Sequence, residues 1–474
     1  MKVLFVTSEL HPLVKTGGLA DVSAILPRKL REAGAEVTVI LPNYRQIPGE
    51  YREKFRYIAY DFVDMGPHRE YVGVLEYVDR GLRILLVDNE SLFFRDSLYG
   101  QGDDGRRFAY FCKAAVQLMG TLDLWPQVVH VNDWFTGLIP LYIQDFAKGD
   151  PRYRDIATLL TIHNVNYNGA FDFDTFAYTG LSGSYYHEEG VKYYGGMSFL
   201  KAGIVYADGI STVSRTYARE LTYDFYGREM AGLLRKYRHK LTGIQNGIDL
   251  GEYDPATDPL LPVHYDIHSL EKKRQNKHEL QRRLSLPVGD GPLFVMVSRL
   301  VDIKGVDLLL GILDEMLRRE LQLVILGTGD PRIEDALRRH HAPDKYRPLI
   351  QFNESLSHLL YGAGDFFLMP SITEPSGLSQ MIAMHYGNVP IVRNTGGLGD
   401  TVGPREGRER GILFENINSH ELLAAVDRAL GLYGTAQHRE LMVTGMTEDF
   451  SWEEPTREYL ELYASLLRKR GLKP

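Results

Sequence analysis

Short apolar runs that end in polar residues recur along this chain and alternate with helical patterns, and that alternation restricts the fold more than any other feature. "KVLFVT" (Lys2 to Thr7) reads as a buried strand. A glycine-containing loop, the helical "DVSAILPRKLREAG" and a second apolar run, "EVTVILP", follow it and complete one βαβ unit. "QVVHVND" (Gln127 to Asp133), "ATLLTIHN" (Ala157 to Asn164) and "GISTVS" (Gly209 to Ser214) repeat the theme, with helical patterns such as "FTGLIPLYIQDFA" between them. In the second half "PLFVMVSRL", "LQLVILGTGD", "PLIQFN", "DFFLMPS", "VPIVRN" and "GILFE" read as strands, with "IEDALRRHH" and "SHELLAAVDRALGLY" among the helices. Strands alternating with helices build a parallel sheet covered on both faces. A chain of 474 residues is too long for one hydrophobic core. The expectation is therefore an α/β protein with two doubly wound, Rossmann-like domains.

The expected seam is "NGIDLGEYDPATDPLLP" (Asn246 to Pro262), where Gly, Asp and three prolines replace the periodic pattern. This gives domains at 1–245 and 246–450, with a last helix, 451–474, crossing back onto the first. Ser451, with Glu454 three positions on, is the expected N-cap of that helix. "REYVGVLEYVDRGLRILLVD" (Arg69 to Asp88) turns at Asp-Arg-Gly and reads as an antiparallel insertion.

A formal net charge of −8 argues against a bulk electrostatic partner such as nucleic acid, so an anionic ligand needs a local cluster of cations. The basic run "EKKRQNKHELQRR" (Glu271 to Arg283) accordingly reads as a solvated helix face. Cys112 is the only cysteine, so neither an intrachain disulfide nor a cysteine zinc site is expected. The apolar run at the amino terminus is too short for a signal segment, and no stretch of about 18 apolar residues offers a membrane span. A cytoplasmic protein with no membrane partner is expected.

"VKTGGLADV" (Val14 to Val22) and "NTGGLGDTV" (Asn394 to Val402) repeat Thr-Gly-Gly-Leu after different strands. Neither matches G-x-G-x-x-G or a Walker loop. Two explanations stand: glycines that let backbone amides approach a phosphate or crowded sugar, or a tight strand-to-helix turn. "SRLVDIKG" sets Arg299 and Lys304 at a strand end, where two cations suit a diphosphate. "SITEPSGLSQMIAMHYG" sets Glu374 at another, with Gly377, Leu378 and Ser379 opening a helix whose first amides are free for an anion. A carboxylate beside an anion site is expected to hold something else, and sugar hydroxyls suit it. "TIHNVNYNGAF" and "HVNDWF" place His163, Asn164 and Asp133 at two further strand ends. In "FDFDTF", Asp172 and Asp174 make an Asp-x-Asp that is read as a loop and not as a metal site.

Together these stretches resemble the bacterial glycogen synthases and plant starch synthases, retaining glycosyltransferases in which two domains face across a cleft, the B-type glycosyltransferase fold. "KTGGLADV", "SRLVDIKG", "EPSGLSQ" and "RNTGGLGDTV" fall in the family's order and spacing, and "FLKAGIVYADGISTVS", "NGID" and "FSW" fit as well. The resemblance spans essentially the whole chain. It implies ADP-glucose as donor, the non-reducing end of an α-1,4-glucan (glycogen) as acceptor, and neither cofactor nor metal. It implies catalytic roles for His163, Arg299, Lys304 and Glu374. Arg299 and Lys304 are expected on the diphosphate, Glu374 on the hydroxyls of the transferred glucose. Lys15, Gly17, Gly18, Tyr99, Asp133, Asn246, Gly377, Leu378, Ser379 and Thr395 are implied as substrate-binding. Ser376 stands where the family usually has cysteine, Ser379 where it has threonine, Phe135 where histidine is common and Arg215 where proline is common. Two other functions stay open at this level: a UDP-glucose-dependent transferase with a small acceptor, and a catalytically silent glucan-binding relative.

Overall fold

The computed structural model describes residues 1–473. The chain divides into two compact units: Met1 to Ile244 together with the segment from Trp452 onward, and Gln245 to Ser451.

The strands of the first unit are β1 (Lys2–Val6), β2 (Glu36–Pro42), β3 (Arg56–Met65), β4 (His68–Asp79), β5 (Leu82–Asp88), β6 (Val128–Asn132), β7 (Ala157–Ile162), β8 (Ala170–Phe171), β9 (Lys192–Tyr193), β10 (Gly196–Ser198), β11 (Gly209–Thr212) and β12 (Leu241–Gly243). Nine of them form one sheet in the order β12-β11-β7-β6-β1-β2-β5-β4-β3, and β8, β10 and β9 form a small antiparallel sheet. From β12 to β5 every pairing in the large sheet is parallel. β4 and β3 extend it antiparallel.

The stretch read as an antiparallel insertion is therefore an extension of the main sheet, because β5 pairs with β2 in parallel register while turning back onto β4. The edge strand β3 was not expected. Its outward side chains include Tyr57, Tyr60 and Phe62, so it lacks the apolar, polar alternation that marks a half-buried strand.

The second unit has β13 (Leu293–Val297), β14 (Gln322–Gly327), β15 (Tyr346–Ile350), β16 (Phe366–Met369), β17 (Val389–Arg393) and β18 (Ile412–Phe414), in the order β15-β14-β13-β16-β17-β18. All pairings are parallel. The alternation of a buried strand is plain here. Leu293 and Val295 of β13, with Phe367 and Met369 of β16, enter one apolar cluster, while Phe294, Met296, Phe366 and Leu368 enter another on the opposite face. Helices cover both faces, as apolar strands require.

The last helix, Glu453–Lys469, packs on the first unit. Its Tyr463 hydroxyl lies 2.7 Å from His130 Nδ1, and Leu466 packs against Gly209, where an added β-carbon would come within 2.8 Å of the leucine. The helix starts two residues after Ser451, with Trp452 at the N-cap position, so Ser451 is not the capping residue. Asp172, read as part of a loop, caps the helix Phe173–Thr179 by accepting from the Thr175 amide at 2.9 Å and its hydroxyl at 3.0 Å.

The basic helix, Lys273–Arg283, is also not a uniformly solvated face. Lys277 Nζ lies 2.6 Å from Asp365 Oδ2 and 3.0 Å from the Tyr433 hydroxyl, and Lys273 Nζ donates to the carbonyls of Tyr361 and Tyr386 at 2.9 and 2.8 Å. Burial lowers the Lys273 amine to about 7. Charge counting missed this because lysine stems are apolar enough to cross a core boundary when acceptors wait at the far end.

Leu466 is 1% exposed. Leu466→Ala should destabilise the first unit by about 2–5 kcal/mol, read by calorimetry as a drop in that unit's transition with the second unit's unchanged.

Candidate active site

The parallel part of each large sheet reverses its strand order at one place: β1 has β2 on one side and β6 on the other, and β13 lies between β14 and β16. In an open parallel sheet this switch point is where the loops leaving the strands diverge and leave a crevice. Lys15, Gly17, Gly18 and Asp133 of the first unit and Arg299, Lys304, Glu374 and Gly377 to Ser379 of the second lie on those loops, while Tyr99 follows β5, His163 follows β7, Asn246 follows β12 and Thr395 follows β17.

In the first unit β1 runs into Glu9, 3% exposed, whose carboxylate organises the glycine loop. It accepts from the Thr16 amide at 2.5 Å, the Thr16 hydroxyl at 2.6 Å and the Gly17 amide at 3.2 Å. The Tyr99 hydroxyl lies 2.9 Å from both Glu9 Oε1 and Ser8 Oγ, and burial pushes that phenol well above its ordinary value. A β-carbon added at Gly17 or Gly18 would meet nothing within 4 Å, so the chain's own packing does not require glycine there. Lys15 pairs with Asp21 at 2.7 Å in a half-exposed ion pair, a weak constraint on a mobile side chain.

After β6, Asp133 adopts a left-handed φ of 53°. Its Oδ1 accepts from the amides of His163 at 2.7 Å and Asn164 at 3.3 Å. Burial pushes its carboxyl up to about 7 against the opposing pull of those amides. His163 Nε2 lies 2.9 Å from Asn132 Oδ1, and Asn132 Nδ2 donates to the Val6 carbonyl at 3.0 Å. That second bond turns the amide oxygen toward the ring and assigns the imidazole proton to Nε2. Burial lowers the ring to about 3, so it is neutral at physiological pH. Asp133, His163, Tyr99 and the Gly17 loop are thus tied to the ends of β1, β6 and β7.

In the second unit the loops after β13 and β16 are locked together. Gly305 has a φ of +68°, and a β-carbon there would stand 2.0 Å from the Pro370 carbonyl oxygen. Beside it the Ile372 amide donates to the Ile303 carbonyl at 2.9 Å. This clasp sets Lys304 Nζ 2.6 Å from Glu374 Oε2, which also accepts from the Ser371 hydroxyl at 2.9 Å. The two side chains are 16% and 8% exposed. Arg299 on the same loop is exposed and makes no ion pair among the described residues.

Gly377 has a φ of +69°, and Gln380 stands in the space a β-carbon would need. Gln380 Nε2 donates to the carbonyls of Ser376 and Gly377 at 3.1 and 2.9 Å, fixing the turn into the helix Ser379–His385. Leu378 occupies the N-cap position of that helix, which has no side-chain cap. Asn246 is 5% exposed with a buried Oδ1 that has no partner among the described residues, and the preceding Gln245 Nε2 lies 3.3 Å from Ser376 Oγ. Thr395 is fully buried at the start of the helix Gly396–Val402.

Three residues that shape these loops escaped the sequence reading. Glu9 has the fainter excuse, since a lone carboxylate between a strand and a glycine loop has few roles other than accepting amides. Gln380 lies inside a quoted motif, but nothing in the spacing says that its amide turns back. Arg393, at the end of β17, donates to the carbonyls of Ser371, Ile372 and Glu415 and braces the Glu374 loop from behind. It reads in sequence as a surface charge.

The starch synthase catalytic domain model matches residues 2–236, and the model for glycosyl transferases group 1 matches residues 277–441. The chain is 42% identical to a glycogen synthase of Finegoldia magna over 99% of its own length and the whole of the relative, and 42% identical to one of Bacillus cereus over 98% of its length and the whole of the relative. The chain belongs to the glycogen synthase family. The catalytic domain of starch synthase IV from Arabidopsis thaliana, solved with ADP and acarbose bound, superposes with a TM-score of 0.90 at 31% identity, covering 98% of this chain and 99% of that one. A sucrose-phosphate synthase from Thermosynechococcus elongatus, at 18% identity and a TM-score of 0.64 over 99% of each chain, shares the fold. The fold is the B-type of glycosyltransferases, and the family is one of hexosyltransferases.

Two departures from the glycogen synthase pattern have structural accounts. Phe135 stacks on Tyr99 with ring centroids 4.2 Å apart and touches Trp134 and Phe108, so the ring replacing the family's histidine steadies the tyrosine that holds Glu9. Arg215 takes the first position of the helix Arg215–Glu220, where proline and other residues are interchangeable, and its guanidinium pairs with Glu458 of the last helix.

Glu9→Gln sets an amide NH2 against donors and should cost the loop about 1–3 kcal/mol. Hydrogen exchange should then show the Thr16 and Gly17 amides opening at least about tenfold faster. Asp133 yields a pH test. A carboxyl held near 7 in the fold and near 3.8 when free means that the unfolded chain loses its proton first as pH rises. This residue therefore lowers stability progressively from about pH 4 to about pH 7. Relative to the parent, Asp133→Asn should gain stability across that window and hold a constant advantage above it, as read from urea midpoints of the first unit.

Proposed function

We propose that this chain transfers the glucosyl unit of ADP-glucose to the non-reducing end of an α-1,4-glucan with retention of configuration, a glycogen synthase reaction. The observation that carries the reading is the Lys304–Glu374 pair, 2.6 Å apart at the switch point of the second sheet with the unpaired Arg299 on the same loop. Cations for a leaving diphosphate and a carboxylate for sugar hydroxyls are what a nucleotide sugar needs within one site. Support for the adenine donor comes from the ADP in the Arabidopsis starch synthase IV structure, and support for the glucan acceptor from the glycogen synthases that match the whole chain.

On this reading the bond between the anomeric carbon and the diphosphate oxygen breaks, while a bond to the acceptor hydroxyl oxygen forms on the same face. The departing diphosphate takes the hydroxyl proton. Positive charge grows on the sugar and negative charge on the diphosphate. Arg299 and Lys304 supply preorganised positive charge to the leaving group, assisted by the amides of Gly377, Leu378 and Ser379, so the reading asks for no metal ion or cofactor. Glu374 positions the glucose through its hydroxyls. Each unit brings its own candidates for substrate: the first offers Lys15, the Gly17–Gly18 loop, Tyr99, Asp133 and His163, and the second offers Asn246 and Thr395.

ADP-glucose and UDP-glucose assayed side by side with glycogen should give polymer extension from the adenine donor; preference for UDP-glucose, or for a monosaccharide acceptor, would remove the reading. Arg299 and Lys304 should part company in a second assay. Arg299→Ala is expected to lower turnover by about 10² to 10³, with thermal stability unchanged because its side chain is exposed and makes no ion pair among the described residues. Lys304→Ala should lose similar turnover and stability as well, since it strands a buried Glu374 carboxylate.

A further inference from the structure

The segment that follows Asn246 carries a second cluster of polar groups, and no residue of it belongs to the proposed donor site. Glu354 and His358 lie four residues apart on the helix Glu354–Ala363, hence on one face of it. Glu252, from the turn after Asn246, comes up to the same face. One carboxylate oxygen of Glu252, one of Glu354 and a ring nitrogen of His358 all lie within 4.8 Å of one another. The carboxylates are exposed and the imidazole is 2% exposed, so the group has a buried floor and an open mouth.

The histidine indicates what is missing. Its Nδ1 is 2.8 Å from Asp258 Oδ2, which also accepts from the Tyr386 hydroxyl at 2.6 Å, while Asp258 Oδ1 accepts from the Leu260 amide at 2.8 Å. A carboxylate so engaged is an acceptor, so the imidazole proton sits on Nδ1 and Nε2 presents a lone pair. That Nε2 is buried and has no hydrogen-bond partner among the described residues. With Nδ1 taken by Asp258, Nε2 is the ring nitrogen left for a ligand. A buried nitrogen lone pair left without a donor, on a ring that belongs to this cluster, is suited to a cation. Tyr253 stacks on the ring with centroids 4.8 Å apart and planes 18° from parallel, which holds the plane of the ring, while the bond to Asp258 sets which edge carries Nδ1.

We propose that Glu252, Glu354 and His358 Nε2 form a binding site for a divalent first-row transition metal ion, with Asp258 as the positioning residue that fixes the ring and its tautomer. A carboxylate behind a ligating histidine is the arrangement that orients such ligands and raises their basicity. One imidazole with two carboxylates suits zinc or manganese and does not suit magnesium, which keeps its water and takes oxygen ligands. Ligand atoms around a tetrahedral zinc ion lie about 3.5 Å apart. Rotation of the two exposed glutamates closes the remaining distance, with no movement of the buried histidine. The bound ion ties the turn after Asn246 to the helix Glu354–Ala363. The inference stands whether or not the donor reading does.

The test uses the full chain, stripped of metal and titrated with ZnCl2 by calorimetry, with CoCl2 as an optical probe. The expected result is one saturable ion per chain, a rise in the second unit's melting temperature, and a shift of the His358 Nε2 nitrogen resonance while Nδ1 keeps its proton. Glu252→Gln and Glu354→Gln should each weaken zinc at least about tenfold, and Asp258→Asn by about the same factor through the ring. The two glutamates are exposed, so these variants fold even if His358→Gln does not. Excess MgCl2 should not displace the cobalt spectrum. Absence of saturable zinc binding overturns the proposal, as does binding that Glu252→Gln and Glu354→Gln leave intact, which would assign the ion to others of the chain's 15 histidines.

Discussion

The site of the second unit depends on one missing carbon atom. Gly305 approaches the Pro370 carbonyl so closely that any side chain would displace the loop, and its left-handed backbone would strain another residue in any case. Because it fits, the loop after β13 lies flat on the loop after β16, and the Ile372 amide closes the clasp. Only then do Lys304 and Glu374 meet at a distance where a partly buried ion pair holds together. Desolvating those two charges is costly, and the second bond to Glu374, from Ser371, helps offset it. Arg393 closes the structure from behind by saturating the carbonyls of the Glu374 loop.

The two Thr-Gly-Gly-Leu stretches look like one device used twice, but their glycines answer different demands. At Gly396 and Gly397 an added β-carbon would stand 1.9 Å from the carbonyl oxygens of Glu374 and Ser376, and the Gly397 amide donates to the Glu374 carbonyl at 3.0 Å. Those glycines are packing residues: they let a helix start against the loop that carries the key carboxylate. At Gly17 and Gly18 no atom of the described residues occupies the space. What glycine keeps open there is access from outside to a loop whose Thr16 and Gly17 amides point inward onto Glu9. A shared need for close approach explains both copies, with a different partner in each: backbone in the second, and in the first, on the proposed reading, the donor.

How much of this the sequence discloses follows from where the determining contacts lie. Strand existence and the two doubly wound sheets are legible because buried parallel strands are continuous apolar runs, and β13 and β16 read correctly even though their side chains alternate between two cores. The residues at the strand ends are legible for the same reason, since polar residues that stop an apolar run mark the carboxyl edge of a sheet. What is not legible rests on partners distant in sequence. Lys273 and Lys277 look solvated until Asp365, Tyr361 and Tyr386 come up to them. Phe135 looks like a lost histidine until its stacking on Tyr99 is seen. β3 is invisible to pattern because its exposed aromatics Tyr60 and Phe62 blur the alternation that the buried Val63 and Met65 would otherwise declare.

The Lys304–Glu374 pair also bears on how such a site tells its donor from the bare diphosphate the reaction leaves behind. While the pair stands alone, Glu374 offsets much of the lysine's charge, and an incoming phosphate meets a weakened field. A diphosphate that drew Lys304 toward itself would leave a carboxylate 8% exposed and short of its cation. A nucleotide sugar brings hydroxyls that can donate to that same carboxylate, so the charge given up on one side of the pair is replaced on the other. On the proposed reading the pair therefore couples the two ends of the ligand: phosphate binding to Lys304 is fully favourable only when glucose binds to Glu374. Arg299, exposed and unpaired, carries no such condition and supplies attraction to either. One loop from β13 thus holds a cation that recognises charge alone and a second that recognises charge joined to a sugar.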